Sequence, residues 1–397
     1  MNPKLKLLQP YPFEKLAQLF SKLTPNPSLD LIALTVGEPK HKSPEFVLEC
    51  FNDNNSKLAN YPATPGTPEL RSCIANWLTK RFDLNEIDPN NHIISCNGTR
   101  EALFAFTQAM FDDTNKTKPF ILSPNPFYQI YEGAAILAGA EPYFVDLDDE
   151  TFLADFSNIE ESVWQKTQIV FLCSPGNPTG AVVGFDQLKQ LLELSDKYDF
   201  IIASDECYSE IYFQDAPIGL LEACAKLGRH DYKNAVVFHS LSKRSNLPGL
   251  RSGFVAGDAK VIQGFKLYRT YHGCAMSLTN QVASIAAWSD ESHVQVNRDL
   301  YQTKFAQFYD IVSKVLPIKM PDASFYFWLP TPEDGKIFAK KLLEKQHIKV
   351  LPGEFLAREV NGKNPGQNFV RIALVATQQE CLEAANRIAQ FVKEEYK

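Results

Sequence analysis

The sequence predicts an α/β protein in which a mainly parallel sheet, covered by helices on both faces, is followed by a smaller α+β part. Two observations support this class. Short apolar runs rich in Val, Ile and Phe alternate with helical patterns through the middle of the chain, and this alternation ends near Ser289. The 397 residues are also enough for a large core and two domains.

The larger part is predicted to contain strands separated by helices. The strand candidates are residues 92–96, 119–123, 141–145, 168–173, 200–204, 235–239 and 253–256. The helix candidates between them are residues 99–110, 127–138, 185–198 and 261–271. We therefore expect residues 45–288 to form a large domain with a mostly parallel seven-stranded sheet.

A different pattern follows residue 289 and predicts a smaller α+β domain. A long amphipathic helix over residues 291–316 precedes strand candidates at 324–328, 349–351 and 368–373, and a closing helix begins at Gln378. The N-terminal arm is expected to join this part, with Pro39 and Pro44 marking the crossing. The small domain would then be discontinuous, formed by residues 1–44 and 289–397.

Composition and charge exclude several classes of protein. The net charge of −7 argues against a nucleic-acid partner, and the lack of an 18-residue apolar run predicts no membrane-spanning helix. The N-terminus lacks the apolar stretch of a signal peptide. Eight scattered cysteines without a CxxC pair indicate reduced thiols in a cytoplasmic protein, and seven histidines without an HExxH spacing predict no metal site.

One turn combines a lysine with groups that can hold a phosphate. Lys243 lies three residues after Ser240 and eight before Arg251, among small residues. A serine hydroxyl and an arginine fork can hold a phosphate while the lysine amine reaches an aldehyde carbon. An exposed basic turn would show the same spacing.

Three further segments follow predicted strands, where ligands bind in parallel sheets. Gly98, Thr99 and Arg100 open a helix whose N–H groups could face a phosphate, although a plain helix cap explains them equally. Tyr128 lies in a loop rich in proline and could stack on a flat cofactor or pack in the core. Asn177 lies in a turn and could aim its amide at a cofactor oxygen.

Two charged residues lie in apolar strands and need partners. Asp205 ends the strand at 200–204, and burial would raise its pKa unless a cation or donor meets it. A pyridinium N–H, a salt bridge or a helix cap would satisfy this carboxylate. Arg371 lies inside the last strand candidate, where a substrate carboxylate or a structural Asp or Glu could bind its guanidinium.

In their order along the chain, these segments resemble the class I and II aminotransferases, which are fold-type I enzymes dependent on pyridoxal 5′-phosphate (PLP). The similarity is carried by Gly37, Tyr61, Gly66, Leu70, Arg71, Gly98, Thr99, Arg100, Tyr128, Asn177, Gly180, Asp205, Tyr208, Ser240, Lys243, Arg251, Pro352, Gly353, Phe355 and Arg371. The resemblance implies the PLP-transferase fold, a homodimer with shared active sites, and amino-acid and 2-oxo-acid substrates.

The resemblance also implies roles for these residues. The catalytic set is Lys243, which forms the imine with the cofactor and carries the substrate Cα proton, Asp205, which keeps the pyridine nitrogen protonated, and Tyr208. The cofactor-binding set is Gly98, Thr99, Arg100, Tyr128, Asn177, Asp205, Tyr208, Ser240, Ser242, Lys243, Arg251 and, reaching the phosphate of the neighbouring subunit, Tyr61. The substrate-binding set is Arg371, for the α-carboxylate, with Gly37 and Asn177.

Within this family, four stretches are most similar to N-succinyldiaminopimelate aminotransferases. They are residues 10–16, 36–40, 242–246 and 267–274. This similarity implies amino transfer between N-succinyl-LL-2,6-diaminopimelate and 2-oxoglutarate in lysine biosynthesis. Acetylornithine, aspartate or aromatic aminotransferases and C–S lyases would use the same catalytic residues, and a PLP-sensing regulator is a further alternative.

The expected substrates carry a second anionic group, so additional cations are expected near the site. The candidates are Arg244, Arg269, Lys42 and His272, each of which could instead be a surface or interface charge.

Overall fold

A computed structural model describes residues 1–85, 87–114 and 118–396, in which strands alternate with helices. The strands are β1 (Ile32–Ala33), β2 (Ile93–Cys96), β3 (Phe120–Asn125), β4 (Glu141–Asp146), β5 (Thr167–Cys173), β6 (Ile201–Asp205), β7 (Ala235–Ser240), β8 (Gly253–Gly257), β9 (Tyr326–Pro330), β10 (Ile348–Lys349), β11 (Leu351–Pro352) and β12 (Phe369–Ala373).

The α-helices alternate with these strands through the middle of the chain. They are α1 (Pro12–Phe20), α2 (Glu45–Asp53), α3 (Pro68–Phe82), α4 (Thr99–Met110), α5 (Ile130–Ala138), α6 (Glu161–Trp164), α7 (Phe185–Tyr198), α8 (Leu220–Lys226), α9 (Leu241–Arg244), α10 (Ala259–His272), α11 (Leu278–Ser289), α12 (Ser292–Val312), α13 (Gly335–Gln346) and α14 (Gln378–Tyr396). Short 3-10 helices cover Pro3–Leu7, Asn55–Ala59, Pro248–Leu250 and Gly353–Leu356.

A seven-stranded sheet with the order β2-β8-β7-β6-β5-β3-β4 forms the centre of the molecule. Strand β8 is antiparallel to both of its neighbours, and the other pairs are parallel. The predicted α/β class with a mostly parallel seven-stranded sheet is therefore confirmed. In this register Cys173 pairs with Asp205, which in turn pairs with Phe238, so the ends of β5, β6 and β7 meet at one edge.

Helices cover both faces of this sheet because each face is apolar. On one face Ala102 of α4, Tyr131 of α5 and Phe265 of α10 belong to one buried cluster. On the other face a larger cluster includes Trp77 of α3 and Leu188 of α7. Burying strands on two faces explains why their sequences are continuous apolar runs rather than alternating ones.

A second apolar core lies beside the central sheet and includes α12, α14 and the strands β9 and β12 of the antiparallel sheet β11-β12-β9. Strand β1 pairs in parallel with β10, through Ile32 with Ile348, so an N-terminal segment joins the C-terminal part. Tyr208 and Ile211, from the chain after β6, also pack into this core. The domain boundaries at 44/45 and 288/289 stay a prediction.

Three predicted elements differ from those observed by more than two residues at one end or by being divided. The helix expected at 127–138 begins at Ile130 because Phe127 stacks on Phe144, with ring centroids 4.9 Å apart, and its N–H donates to Leu356 O. The helix expected at 291–316 ends at Val312. The strand expected at 349–351 divides into β10 and β11, which pair with β1 and β12 respectively.

In the described ranges, no helix has both the length and the apolar character required to cross a membrane.

Candidate active site

A cavity of about 540 Å³ lies at the carboxyl ends of the central strands, against β12. The residues predicted for the site that line it are Gly37, Thr99, Arg100, Tyr128, Asn177, Asp205, Tyr208, Ser240, Ser242, Lys243, Arg251 and Arg371. The cavity is also lined by residues that were not predicted, including Tyr11, Phe13, Cys207 and Tyr326. The fold thus brings together segments that are far apart in the sequence, because successive strands end at the same edge of the sheet.

Lys243 enters this cavity from α9, which begins directly after β7. The Ser240 hydroxyl accepts a hydrogen bond from the Ser242 N–H at 3.1 Å and caps this short helix. The Lys243 Nζ donates to Gly37 O at 2.5 Å. Burial lowers the pKa of Lys243 to about 8, so a substantial fraction of the amine is neutral near physiological pH. A neutral amine can act as a nucleophile and as a base.

Asp205 lies at the end of β6 and is 4% exposed. Its carboxylate accepts hydrogen bonds from the Tyr131 hydroxyl at 3.1 Å and from the Cys207 N–H at 3.3 Å. Across residues 1–85, 87–114 and 118–396, no Lys, Arg or His forms an ion pair with it. Because burial raises the pKa of Asp205, a cationic N–H donor in the cavity would stabilise its charged form.

An anion-binding end of the cavity is formed where α4 begins. Gly98 precedes the helix with φ 84°, a conformation that L side chains rarely adopt, and no side chain among the described residues caps the helix N–H groups. A Cβ at Gly98 would collide with the Arg251 guanidinium, so only glycine permits this approach. The Ser240 and Ser242 hydroxyls lie 2.9 Å apart nearby in the same cavity. Helix N–H groups, two hydroxyls and a guanidinium together suit a phosphate.

A second anion-binding position is centred on Arg371 of β12, which is 4% exposed. Its Nη1 donates to Asn177 Oδ1 at 2.9 Å and its Nη2 to Thr35 O at 2.7 Å. The guanidinium carbon lies 4.3 Å from the centroid of the Tyr326 ring. In the part of the chain that the structure describes, Arg371 forms no ion pair and its buried Nε has no partner. The structural ion pair considered for this residue is therefore not found, and its charge is available to a ligand carboxylate.

Aromatic side chains close the cavity between these two ends. Tyr128 meets Tyr131 edge to face, with centroids 5.8 Å apart, and Tyr131 stacks on Phe171. The Tyr208 and Tyr326 hydroxyls lie 3.1 Å apart. Burial raises the pKa of these four tyrosines, Tyr128, Tyr131, Tyr208 and Tyr326, so their hydroxyls stay neutral donors.

Sequence reasoning assigned no role to Tyr131 or Tyr326, although both touch predicted site residues. Tyr131 follows Tyr128 by three residues in the same aromatic segment, and the helix predicted over 127–138 would have placed both on one face, so this spacing was an available signal. No comparable signal pointed to Tyr326, because its contacts with Tyr208 and Arg371 join distant parts of the chain.

The four additional cations do not line the cavity. Arg244 is 2% exposed, forms an ion pair with Glu291 and donates to Ala287 O at 2.8 Å. Arg269 is fully buried and pairs with Glu101 at 2.9 Å. These two candidates were wrong, because a buried guanidinium requires its own carboxylate and both have one. The other two, Lys42 and His272, are exposed elsewhere.

Tyr61 also lies apart from the other predicted site residues. Its side chain is fully exposed and does not line the cavity of its own chain. This position leaves its expected role in a neighbouring subunit as a prediction.

Comparison with known proteins identifies the family. The family model for aminotransferase class I and II matches residues 30–388, which is most of the chain. The chain belongs to the class I and II aminotransferases. Its fold is that of a solved aminotransferase from Neisseria meningitidis, with 50% identity, a TM-score of 0.95, and coverage of 98% of this chain and 99% of that one.

Two further similarities concern named activities of other proteins. The LL-diaminopimelate aminotransferase of Aquifex aeolicus is 32% identical over 395 residues, with 98% of each chain covered. A probable N-succinyldiaminopimelate aminotransferase of Thermus thermophilus has 25% identity and a TM-score of 0.83, covering 96% of this chain and 98% of that one.

The aminotransferase is therefore a PLP-dependent enzyme that acts on amino and 2-oxo acids. The cavity suits this cofactor: it offers a phosphate-binding end at Gly98 and Arg251, a buried carboxylate at Asp205 without a cation, and a lysine amine. When bound, PLP supplies an electron sink for the charge that develops at the substrate Cα.

Proposed function

We propose that this aminotransferase exchanges the amino group between N-succinyl-LL-2,6-diaminopimelate and 2-oxoglutarate, as a step of lysine biosynthesis. The relatives named as diaminopimelate aminotransferases, with or without the succinyl group, support a long dicarboxylic amino acid as the substrate. The observation that carries the choice of the succinylated form is the charge of the cavity lining.

Within the described residues, Asp205 is the only carboxylate that lines the cavity, whereas four cationic side chains do so. Asp205 lies buried at the end of β6, where a ring nitrogen would meet it. The cations are Arg100, Lys243, Arg251 and Arg371. A substrate whose far end carries only carboxylates suits this lining better than one whose far end carries a free ammonium group beside its carboxylate.

Arg100 is the cation best placed for the far end of the substrate. It is exposed, and its guanidinium carbon lies 5.1 Å from the centroid of the Tyr11 ring. Tyr11 and Phe13 belong to the N-terminal arm and also line the cavity, so Arg100 lies where this arm meets the start of α4. An arginine stacked on a ring keeps its N–H donors free for a carboxylate.

The second candidate substrate is LL-diaminopimelate without the succinyl group, which the name of the Aquifex aeolicus relative favours. Its free distal ammonium would need an acidic partner. Glu38 is one described possibility, since its charge acts on Lys243, but its side chain is exposed and does not line the cavity. This lack of an acidic partner makes the unmodified diamine the weaker candidate.

The predicted residues that line the cavity have the following proposed roles. Lys243 holds the cofactor and, when released, moves the proton of the substrate Cα, a positioned transfer that contributes about 10²–10⁴-fold to the rate. Asp205 binds the ring nitrogen, and Arg371 binds the α-carboxylate. Asn177 and Tyr208 bond the phenolate oxygen, and Tyr128 stacks on the ring. The phosphate is bound by Gly98, Thr99, Ser240, Ser242 and Arg251. Asn177 and Gly37 also border the α-carboxylate.

The proposal includes the assembly and location of the enzyme. We infer a homodimer in which the exposed Tyr61 reaches the phosphate of the neighbouring subunit, and we expect the enzyme in the cytoplasm. A phenol that is fully exposed in its own chain is well placed for an intermolecular contact.

The test follows the absorbance of the bound cofactor as single amino acids are added to the holoenzyme. Rapid conversion by N-succinyl-LL-diaminopimelate and by glutamate, with slow conversion by LL-diaminopimelate, acetylornithine and aspartate, is the expected result. Rapid conversion by LL-diaminopimelate alone would replace the proposed substrate with the second candidate.

A pair of variants tests the role of Arg100. Arg100→Gln is expected to raise the KM for the succinylated substrate at least tenfold and to leave cofactor retention unchanged. Lys42→Gln is the matched control, because Lys42 is an exposed cation that does not line the cavity. Loss of cofactor from Arg100→Gln would instead assign Arg100 to the phosphate.

A further inference from the structure

A buried lysine outside the active-site cavity has an unusual partner. Lys304 of α12 is 2% exposed, and its Nζ lies 2.6 Å from His41 Nε2. Among the described residues it forms no ion pair with a carboxylate. A buried ammonium without an acidic partner is costly, so its retention in this position needs a reason.

Hydrogen bonding determines which ring nitrogen of His41 carries the proton. The Asn297 amide donates through Nδ2 to Lys243 O and Arg244 O, at 3.2 and 3.3 Å, so its Oδ1 must accept. The His41 Nδ1, 2.8 Å from that oxygen, is therefore the protonated ring nitrogen. The His41 Nε2 is left as an acceptor, and the Lys304 ammonium is the donor that satisfies it.

This chain of contacts ends on the backbone of the cofactor lysine. Helix α9 has four residues, so its last carbonyls have no partner within the helix. Asn297 supplies a donor to two of them, those of Lys243 and Arg244. The same segment that carries His41 also carries Gly37, whose carbonyl accepts from the Lys243 Nζ. Helix α12 thus holds the Lys243 backbone through Asn297, and the segment of Gly37 and His41 holds its amine. Lys304 joins these two elements through its contact with His41.

We propose that Lys304, His41 and Asn297 form a positioning relay. The relay keeps Lys243 aligned with the segment of residues 37–44, which carries both Gly37 and His41. The relay residues do not line the cavity and would not touch the substrate. Their effect is on geometry, because a displacement of about 1 Å at a reacting group can cost about 10²-fold in rate. The inference rests on the assignment of Lys243 in the proposed function.

The surroundings of His41 favour the neutral imidazole, which can accept a hydrogen bond from Lys304. Burial is the main cause that lowers the pKa of His41, and the Lys304 charge lowers it further, whereas the Asn297 contact raises it. The ring of His41 also packs against Tyr301, with centroids 4.6 Å apart. Around Lys304, Glu380 and Cys381 of α14 and Lys40 complete the set of titratable neighbours.

The experiment compares relay variants with a matched control in the full-length holoenzyme, with glutamate as the amino donor. The relay variants are His41→Leu, His41→Gln, Lys304→Met and the double variant His41→Leu with Lys304→Met. The control is Ser195→Ala in α7, which removes the buried hydrogen bond that the Ser195 hydroxyl donates to Phe200 O at 2.6 Å, away from the cavity.

Two readouts separate positioning from a general loss of stability. The first is the division of the effect between kcat and KM. The second is the titration midpoint of the Lys243 amine in the cofactor-free full chain, measured from the pH dependence of its labelling by an amine reagent. We expect this midpoint near 8 in the wild type, because burial lowers the pKa of Lys243, and at a higher pH in a variant whose loosened amine reaches water.

The relay predicts that His41→Leu and Lys304→Met each lower kcat about tenfold with little change in KM, and that both raise the Lys243 midpoint. The double variant should be no worse than either single variant, because both break one chain of contacts. His41→Gln, which can both donate and accept, should recover part of the rate.

Two results would overturn the relay. One is that the variants change only thermal stability, as Ser195→Ala does, and the other is that the two single effects multiply in the double variant. Neither result bears on the substrate assignment, which fails only if the cofactor in the wild type does not respond to the succinylated acid.

Discussion

Replacing Lys243 by methionine is expected to stabilise the cofactor-free protein near neutral pH by about 2 kcal/mol. Burial lowers the pKa of Lys243 from 10.5 to about 8, which corresponds to about 3 kcal/mol of destabilisation while the amine is protonated. Methionine removes this term and also the hydrogen bond from Nζ to Gly37 O, which contributes about 1 kcal/mol. The net gain should raise the melting temperature of a chain of this size by about 2 °C.

The stabilisation expected from replacing Lys243 by methionine depends on pH. Below pH 8 the lysine is charged in both the folded and the unfolded protein, so the full destabilisation applies. As the pH rises from 8 to 10.5, the folded protein binds fewer protons than the unfolded one, and the destabilisation disappears. The difference in melting temperature between variant and wild type, both without cofactor, should therefore shrink between pH 7 and pH 10. A variant that is less stable than the wild type by the same amount at every pH would refute the reasoning.

Three further substitutions test the site. Gly98→Ala should weaken cofactor affinity at least tenfold in an equilibrium titration, because the added Cβ meets the Arg251 guanidinium; unchanged affinity would show that the phosphate lies elsewhere. Tyr131→Phe removes one donor to Asp205 and should lower the single-turnover rate by about 3–10-fold while the cofactor stays bound; a normal rate would mean that this hydrogen bond is dispensable. Arg371→Lys keeps the charge but loses the two-pronged geometry, so the KM for glutamate should rise at least tenfold, and an unaltered KM would contradict its role.

Much of the fold could be predicted because helix and strand periodicity are local properties. Helix α7 was predicted at both ends, since an amphipathic pattern stops where Asp199 adopts a left-handed conformation with φ 56°. Helix α5 was predicted three residues too early, because Phe127 is held by Phe144 rather than by its own helix. Local pattern therefore identified the element, and a tertiary contact decided its first residue.

The chemistry of the site was also readable, because it depends on residue types that follow strand ends. Lys243 and Asp205 were identified in this way, and the parallel sheet brings their strands to one edge. The same reasoning could not separate a cation that serves the site from one that serves the fold. Arg371 is buried without a carboxylate, whereas Arg269 is buried with Glu101, and both are arginines in partly apolar segments.

The sequence by itself determined the fold class, the strand ends that carry chemistry and the family resemblance, because these depend on periodicity and on the order of motifs. Only the tertiary structure decided which charges meet. The contact of Lys304 with His41 joins residues 263 positions apart, and that of Arg371 with Asn177 joins residues 194 apart. Such pairs follow from the path of the whole chain, since a buried charge is stabilised by whatever partner the fold brings within hydrogen-bond distance.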